Sequence, residues 1–324
     1  MQTVPTTKTV TADIQKEVTD KILRKLEQGV APWVRPWRTV GKGKQGGALP
    51  HNAVTGRPYS GVNFLMLAME QLDRDFSTAG WLTFNQAAAV GGSVRKGEKG
   101  TAVYFAKMQD RTRTVQDMVT GEEREESFSV PMWRRFWVFN VAQVEGLPAH
   151  LAPQAGLPKG EGVEDELAAI AQRCDLRGGF LHGGNQAYYN VFSDKVVMPQ
   201  VEAFESVDHY ACTLLHELTH ATGHEHRLGR DMQGRYGDES YAFEELVAEL
   251  GAAFTCAALG IDGELRHADY IAHWLTLLGR DQRAIFRAAS QARKAAAYLL
   301  GELDGEGEQC TPLPVTPQEE RVTA

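Results

Sequence analysis

The chain has 324 residues, 43% hydrophobic and 23% charged, with a formal charge of −8. That length suits two modest domains or one large one, and the composition is ordinary for a soluble globular chain. No run approaches the eighteen or so apolar residues that span a bilayer, and residues 1–18 lack the apolar core of a secretory signal.

The four cysteines, Cys174, Cys212, Cys256 and Cys310, lie far apart with no CxxC pair. They read as reduced thiols of a cytoplasmic protein. The net charge hides an asymmetry. Residues 1–145 carry 20 Lys and Arg against 15 Asp and Glu, whereas the remainder carries 14 against 27. A basic first half joined to an acidic second half suggests two modules with different partners.

In chain order, Ile14, Val18, Ile22, Leu23 and Leu26 fall at helical spacing, which predicts an amphipathic helix over 13–29 ending at Gly29. Residues 31–38 are too proline-rich for a helix, and the Gly/Lys stretch 41–47 reads as a mobile basic loop. Helical pattern returns at 61–72 and again after the WLTF segment at 81–84, ending near Gly91 and Gly92. The basic turn at 95–100 precedes a strand over 101–106, and 136–139 returns as a second strand. The polar segment 108–129 between them is expected to be a hairpin tip or a flexible loop. Pro, Gly and Ala make 146–162 the linker candidate. Beyond it come a helix over 163–174, short strands around 187–190 and 195–198, and three long helices near 206–222, 240–259 and 267–302. Residues 306–324 read as a disordered tail. The predicted organisation is α+β in two domains, 1–145 and 163–305.

The sharpest motif is His216-Glu217-Leu218-Thr219-His220. On a helix, histidines four apart share one face, where both imidazoles can reach a single ion. Glu217 sits beside the first ligand, where it can take the proton of a water attacking a carbonyl, with zinc supplying the acidity. Ser206 is a plausible N-cap, Leu214, Leu215 and Leu218 give an apolar face, and Gly223 can end the helix.

A third ligand is needed, and two residues compete. His226 completes the HExxHxxGxxH spacing of metzincins, but Met232 follows too closely to be their methionine turn. Glu245 lies in a helix that is otherwise nearly all apolar, where buried carboxylates are costly without a cation. Glu245 and Glu249 fall one turn apart on one face, with Glu244 rotated by about 100°. Glu245 is therefore the favoured ligand, and Glu249 the acceptor for a ligand histidine's other N–H. This resembles the gluzincin pattern. Residues 187–190 or 195–199 could align an extended peptide, and Tyr188, Tyr236 or Tyr241 could steady an oxyanion.

The segment 30–107 interleaves aromatic and cationic side chains, as a binder of single-stranded nucleic acid does. The candidate contacts are Trp33, Arg35, Trp37, Lys42, Lys44, Arg57, Tyr59, Trp81, Lys96 and Lys99.

These features together resemble the ArdC family of antirestriction proteins of plasmids and other mobile elements. The likeness is carried by LEQGVAPWVRPW at 26–37, NAVTGRPYSGVN at 52–63, WLTFNQ at 81–86, RKGEKG at 95–100 and FNVAQ at 139–143. It continues through Tyr188 and Tyr189, Met198 and Pro199, 214–223, Arg227 and Leu228, 244–254 and YIAHWL at 270–275. The resemblance implies a domain binding single-stranded DNA, followed by a zincin-like metallopeptidase domain of gluzincin type. It also implies Zn2+ or another divalent ion on His216 and His220, Glu217 as acid/base, and protection of incoming DNA from host restriction. Two other readings stay open. One is a DNA-binding interaction protein whose zinc site is structural or inactive. The other is a peptidase whose basic module recognises acidic protein. No membrane partner is implied, and the peptide substrate is unknown.

Overall fold

The computed structural model describes residues 7–33, 49–116, 123–151, 163–232, 234, 238–261 and 268–302. The expected basic loop 41–47, most of the linker, the tail, Arg35, Trp37, Lys42, Lys44, Tyr236 and Cys310 lie outside them.

The first domain opens with α1 (Thr7–Glu27), whose Ile14, Val18, Ile22 and Leu26 form one buried stripe at four-residue spacing. Next come β1 (His51–Asn52), α2 (Val62–Asp73), β2 (Gly80–Thr83), α3 (Phe84–Ala89) and β3 (Ser93–Val94). Thr83 and Gln86 form a reciprocal capping box that fixes the start of α3. Then β4 (Thr101–Gln116) pairs antiparallel over its whole length with β5 (Glu123–Asn140), from Thr101↔Val138 to Gln116↔Glu123. The polar segment expected as a tip or loop is therefore mostly strand. Its side chains are polar because the far end of the ribbon is solvated, with Arg113 paired to Glu126 across it. The sheet runs β1-β2-β5-β4, and a short β6 (Val144–Glu145) pairs with β3.

The second domain begins with α4 (Val163–Arg173). A three-stranded sheet follows, of β7 (Gly179–His182), β8 (Tyr188–Asn190) and β9 (Lys195–Met198) in the order β7-β9-β8. Four helices complete it: α5 (Val207–Thr222), α6 (Glu239–Leu259), α7 (Ala268–Arg280) and α8 (Ala284–Leu300). The single long helix expected over 267–302 is thus two. The break falls at Asp281, whose carboxylate accepts from the Arg283 amide and whose carbonyl accepts from Ala284. β7 carried no clear sequence signal, since most of its residues are exposed. No helix among the described residues is long and apolar enough to cross a membrane.

The two domains share a core. Trp33 meets Trp274 of α7 edge-on at 5.2 Å, Phe64 of α2 meets Phe254 of α6 at 4.7 Å, and Trp133 of β5 meets Phe286 of α8 at 5.3 Å. The Thr19 hydroxyl donates to the Gln282 carbonyl at 2.9 Å. The modules read from the charge asymmetry are consequently packed on each other through apolar surface, not merely strung along a linker.

Candidate metal centre

Helix α5 begins where Ser206 accepts a hydrogen bond from the His209 amide and stops at Thr222. Gly223 follows the helix end as expected, in a right-handed conformation with φ −73°. A side chain there would meet the Met232 Sδ at 2.6 Å and the Arg230 Nη2 at 2.9 Å. The following loop folds back over the helix end, where a side chain at 223 would have to displace the tips of Met232 and Arg230. Helix α6 is buried nearly throughout. Gly251 lets it press against α5, because a Cβ at 251 would lie 2.5 Å from Thr219 Cγ2. That close approach brings the acids of α6 to the histidines of α5.

His216, His220 and Glu245 offer ligand atoms that all lie within 4.8 Å of one another. The two Nε2 atoms are 3.2 Å apart, and the Glu245 carboxylate lies 3.6 Å from that of His216 and 3.5 Å from that of His220. Each imidazole is anchored from behind. His216 Nδ1 lies 3.4 Å from Glu249, and His220 Nδ1 donates to Glu244 at 3.2 Å. Anchoring at Nδ1 turns both Nε2 lone pairs inward, as ligation requires. Two nitrogens and one carboxylate oxygen converging in a buried acidic cluster suit a borderline divalent cation.

Electrostatics agree. Burial alone would depress both imidazoles, but the Glu245 hydrogen bond with the Glu249 charge, and the Glu244 and Glu245 hydrogen bonds, lift His216 and His220 above the usual histidine value. Burial pushes the Glu245 carboxyl up, yet the two histidines hold it far below the ordinary range. The cluster is a sink for positive charge.

Glu244 is the residue that the sequence reading set aside. It is 6% exposed and also accepts from Arg230, from Nη2 at 2.7 Å and Nε at 3.0 Å. His226 lies apart from the cluster. Its side chain is 40% exposed and faces Glu225 at 3.3 Å. The alternative ligand of the metzincin spacing is thus not brought to the histidines.

Glu217, 8% exposed, lines both halves of the cleft. The larger half, 430 Å³, reaches past Phe204, His209 and Thr213, and the smaller, 260 Å³, runs along Ala187 to Val191 beside the edge strand β8. Of the tyrosines considered, Tyr188 and Tyr241 line the smaller half. Tyr270, the first residue of the YIAHWL stretch and given no role from the sequence, lines both and places its hydroxyl 3.2 Å from that of Tyr241. Burial, the Tyr270 hydrogen bond and the Glu245 charge all keep the Tyr241 phenol protonated.

The DNA candidates fare unevenly. Arg57, Lys96 and Lys99 are exposed, and Tyr59 is half-buried against the cluster of Leu67, Trp81, Val103 and Val138. Trp33 and Trp81, at 1% and 0% exposure, are core side chains and cannot stack on a base. Their rings fill the space between helices and sheet, as large aromatics commonly do.

Comparison with known proteins follows this division. Residues 12–139 match the family described as the N-terminal domain of anti-restriction factor ArdC, and residues 169–291 match a zincin-like metallopeptidase family. The chain is 39% identical to protein y4eC of Sinorhizobium fredii, over 89% of this chain and 91% of that one. It is 36% identical to a DNA primase TraC of Escherichia coli over 87% of this chain, but spans only 19% of that protein. It also resembles the crystal structures of the antirestriction ArdC protein from the R388 plasmid. The metal-free form has a TM-score of 0.71 at 35% identity, covering 90% of this chain and 97% of that one. The Mn(II)-bound form gives 0.69 at 33%, covering 90% and 98%.

Proposed function

Since the chain belongs to the ArdC antirestriction family and carries both of its domains, we propose that it binds single-stranded DNA through residues 1–145 and hydrolyses peptide bonds at a zinc centre within 163–305. On this reading it acts in the cytoplasm and protects incoming mobile-element DNA from host restriction. The observation that carries the proposal is the convergence of His216, His220 and Glu245 on one point, with Glu217 beside them.

His216, His220 and Glu245 would hold the zinc ion, which when bound would supply the Lewis acidity that attack on a peptide carbonyl needs at neutral pH. Glu217 holds the attacking water, takes its proton and returns it to the leaving amine. The Tyr241 hydroxyl, positioned by Tyr270, donates to the developing oxyanion. Glu249 and Glu244 keep the ligand imidazoles oriented, and the edge strand β8 aligns an extended substrate.

Two measurements on the full chain test the proposal. Binding to a labelled oligo(dT) should exceed binding to duplex and weaken steeply as salt rises. Cleavage of an unfolded protein should vanish with chelator and return with zinc. Equal duplex binding or chelator-insensitive cleavage would contradict it.

A further inference from the structure

With Trp33 and Trp81 in the core, two rings of β5 are exposed among the described residues, Phe128 toward the solvated far end of the ribbon and the larger indole of Trp137 beside the body of the domain. Trp137 on β5 is 49% exposed. Arg135, Trp137 and Phe139 alternate onto the same face of that strand, opposite Tyr104, Ala102 and Leu82, spaced by roughly 7 Å. The Arg135 guanidinium lies 5.8 Å from the Tyr104 ring and 5.9 Å from the Trp137 ring, with Glu17 paired to it. Phe139 is half-buried behind Trp137.

The RKGEKG turn at 95–100 packs directly against this strip. A Cβ on Gly100 would lie 3.3 Å from Trp137 Cβ and 3.2 Å from Phe139 Cζ. The turn is held rigid by its single acid. Glu98 accepts from Arg74 at 2.6 Å, Arg95 at 2.8 Å and Gln143 at 2.9 Å. The Arg95 and Gln143 hydrogen bonds lead in holding its carboxyl at about 2. The Lys99 carbonyl accepts from Arg74 at 2.9 Å and Gln143 at 3.0 Å. Glu98 is thus turned to internal partners. Lys96 and Lys99 are exposed and form no ion pair among the described residues.

We propose that Trp137, with Arg135 and Phe139 beside it and Lys96 and Lys99 at its edge, is a stacking site for single-stranded DNA. A base lies on the Trp137 ring and the adjoining phosphates face the two lysines. Sheets that expose aromatic rings bind single strands in this way. Turning the only carboxylate of the turn inward leaves the local charge complementary to phosphate. The assignment rests on the single-stranded-DNA reading given above.

Fluorescence polarisation of labelled oligo(dT) with the full chain, over a series of salt concentrations, tests it. Trp137→Ala should weaken binding about tenfold, and Trp137→Phe should recover most of that loss. The double variant Lys96→Ala, Lys99→Ala should reduce the slope of log affinity against log salt by about 1.4. If the wild type binds while Trp137→Ala binds equally well, the assignment is overturned. An unchanged salt slope in the lysine variant overturns the phosphate contacts. Failure of the wild type to bind any single strand would overturn the parent reading with it. Thermal midpoints unchanged from wild type exclude misfolding as the cause of lost binding.

Discussion

Replacing Arg227 by alanine is expected to destabilise the second domain by about 3–5 kcal/mol, because it strands a buried carboxylate. The side chains of Arg227 and Asp194 are each 5% exposed and directly paired. Arg227 also donates to the Ala221 carbonyl at 2.6 Å, the Cys174 carbonyl at 2.9 Å and the Tyr189 hydroxyl at 3.2 Å. One guanidinium therefore ties the end of α5 to the segment after α4 and to β8, the strand along the cleft. Asp194 sits at φ +48°, a conformation unfavourable for most side chains, and accepts there from the Arg177 amide and the Tyr189 hydroxyl. Burial would raise the Asp194 carboxyl, but the Arg227 hydrogen bond and its neighbours hold it at about 2, below the usual 3.8. A lowered folded value stabilises the native state above pH ~4, and that contribution is lost as pH falls through about 2. Urea midpoints measured from pH 6 to pH 2 should show this loss in the wild type and a flatter profile in Arg227→Ala. A destabilisation below about 1 kcal/mol would contradict the structural role given to the pair.

Glu217→Gln should lower peptide hydrolysis by about 10²–10⁴-fold while leaving metal content and oligonucleotide binding unchanged. The substitution keeps the shape of a side chain that is 8% exposed in the cleft, and removes only its capacity to take a proton. Assaying the same variant for protection of transferred DNA separates the proposed function from the reading in which the zinc site is structural or inactive. Loss of protection ties antirestriction to hydrolysis. Full protection, with hydrolysis gone, assigns antirestriction to DNA binding and leaves the metal a structural part.

The cluster of candidate ligands in the second domain was largely legible in the sequence because its members are local or conspicuous. His216 and His220 are brought together by helical periodicity alone. Glu245 and Glu249 stand out as acids in an apolar helix, and both lie in the cluster. Glu244 escaped because its role depends on where α5 crosses α6 and on Arg230, fourteen residues away. Helical phase on one element cannot supply that. His226 shows the opposite failure, a matching spacing whose loop turns away to solvent.

In the first domain the limit is ring depth. Interleaved aromatics and cations describe a core lined by a basic surface as well as a binding groove, so Trp33 and Trp81 could not be told from stacking residues. Trp137, in the uninterrupted apolar run Phe136–Phe139, could face either side until the pairing with β4 fixed the register. The shared core between domains was hidden for the same reason, since an amphipathic stripe such as that of α1 does not say which element covers it.

The central claim, a metal centre completed by Glu245, is tested most directly by metal analysis of the purified protein. Wild type, Glu245→Ala and His226→Ala would each be dialysed against one zinc buffer and their bound zinc measured. Near-stoichiometric zinc is expected in wild type and His226→Ala, with a large loss in Glu245→Ala. Zinc retained by Glu245→Ala and lost from His226→Ala would contradict the centre described here.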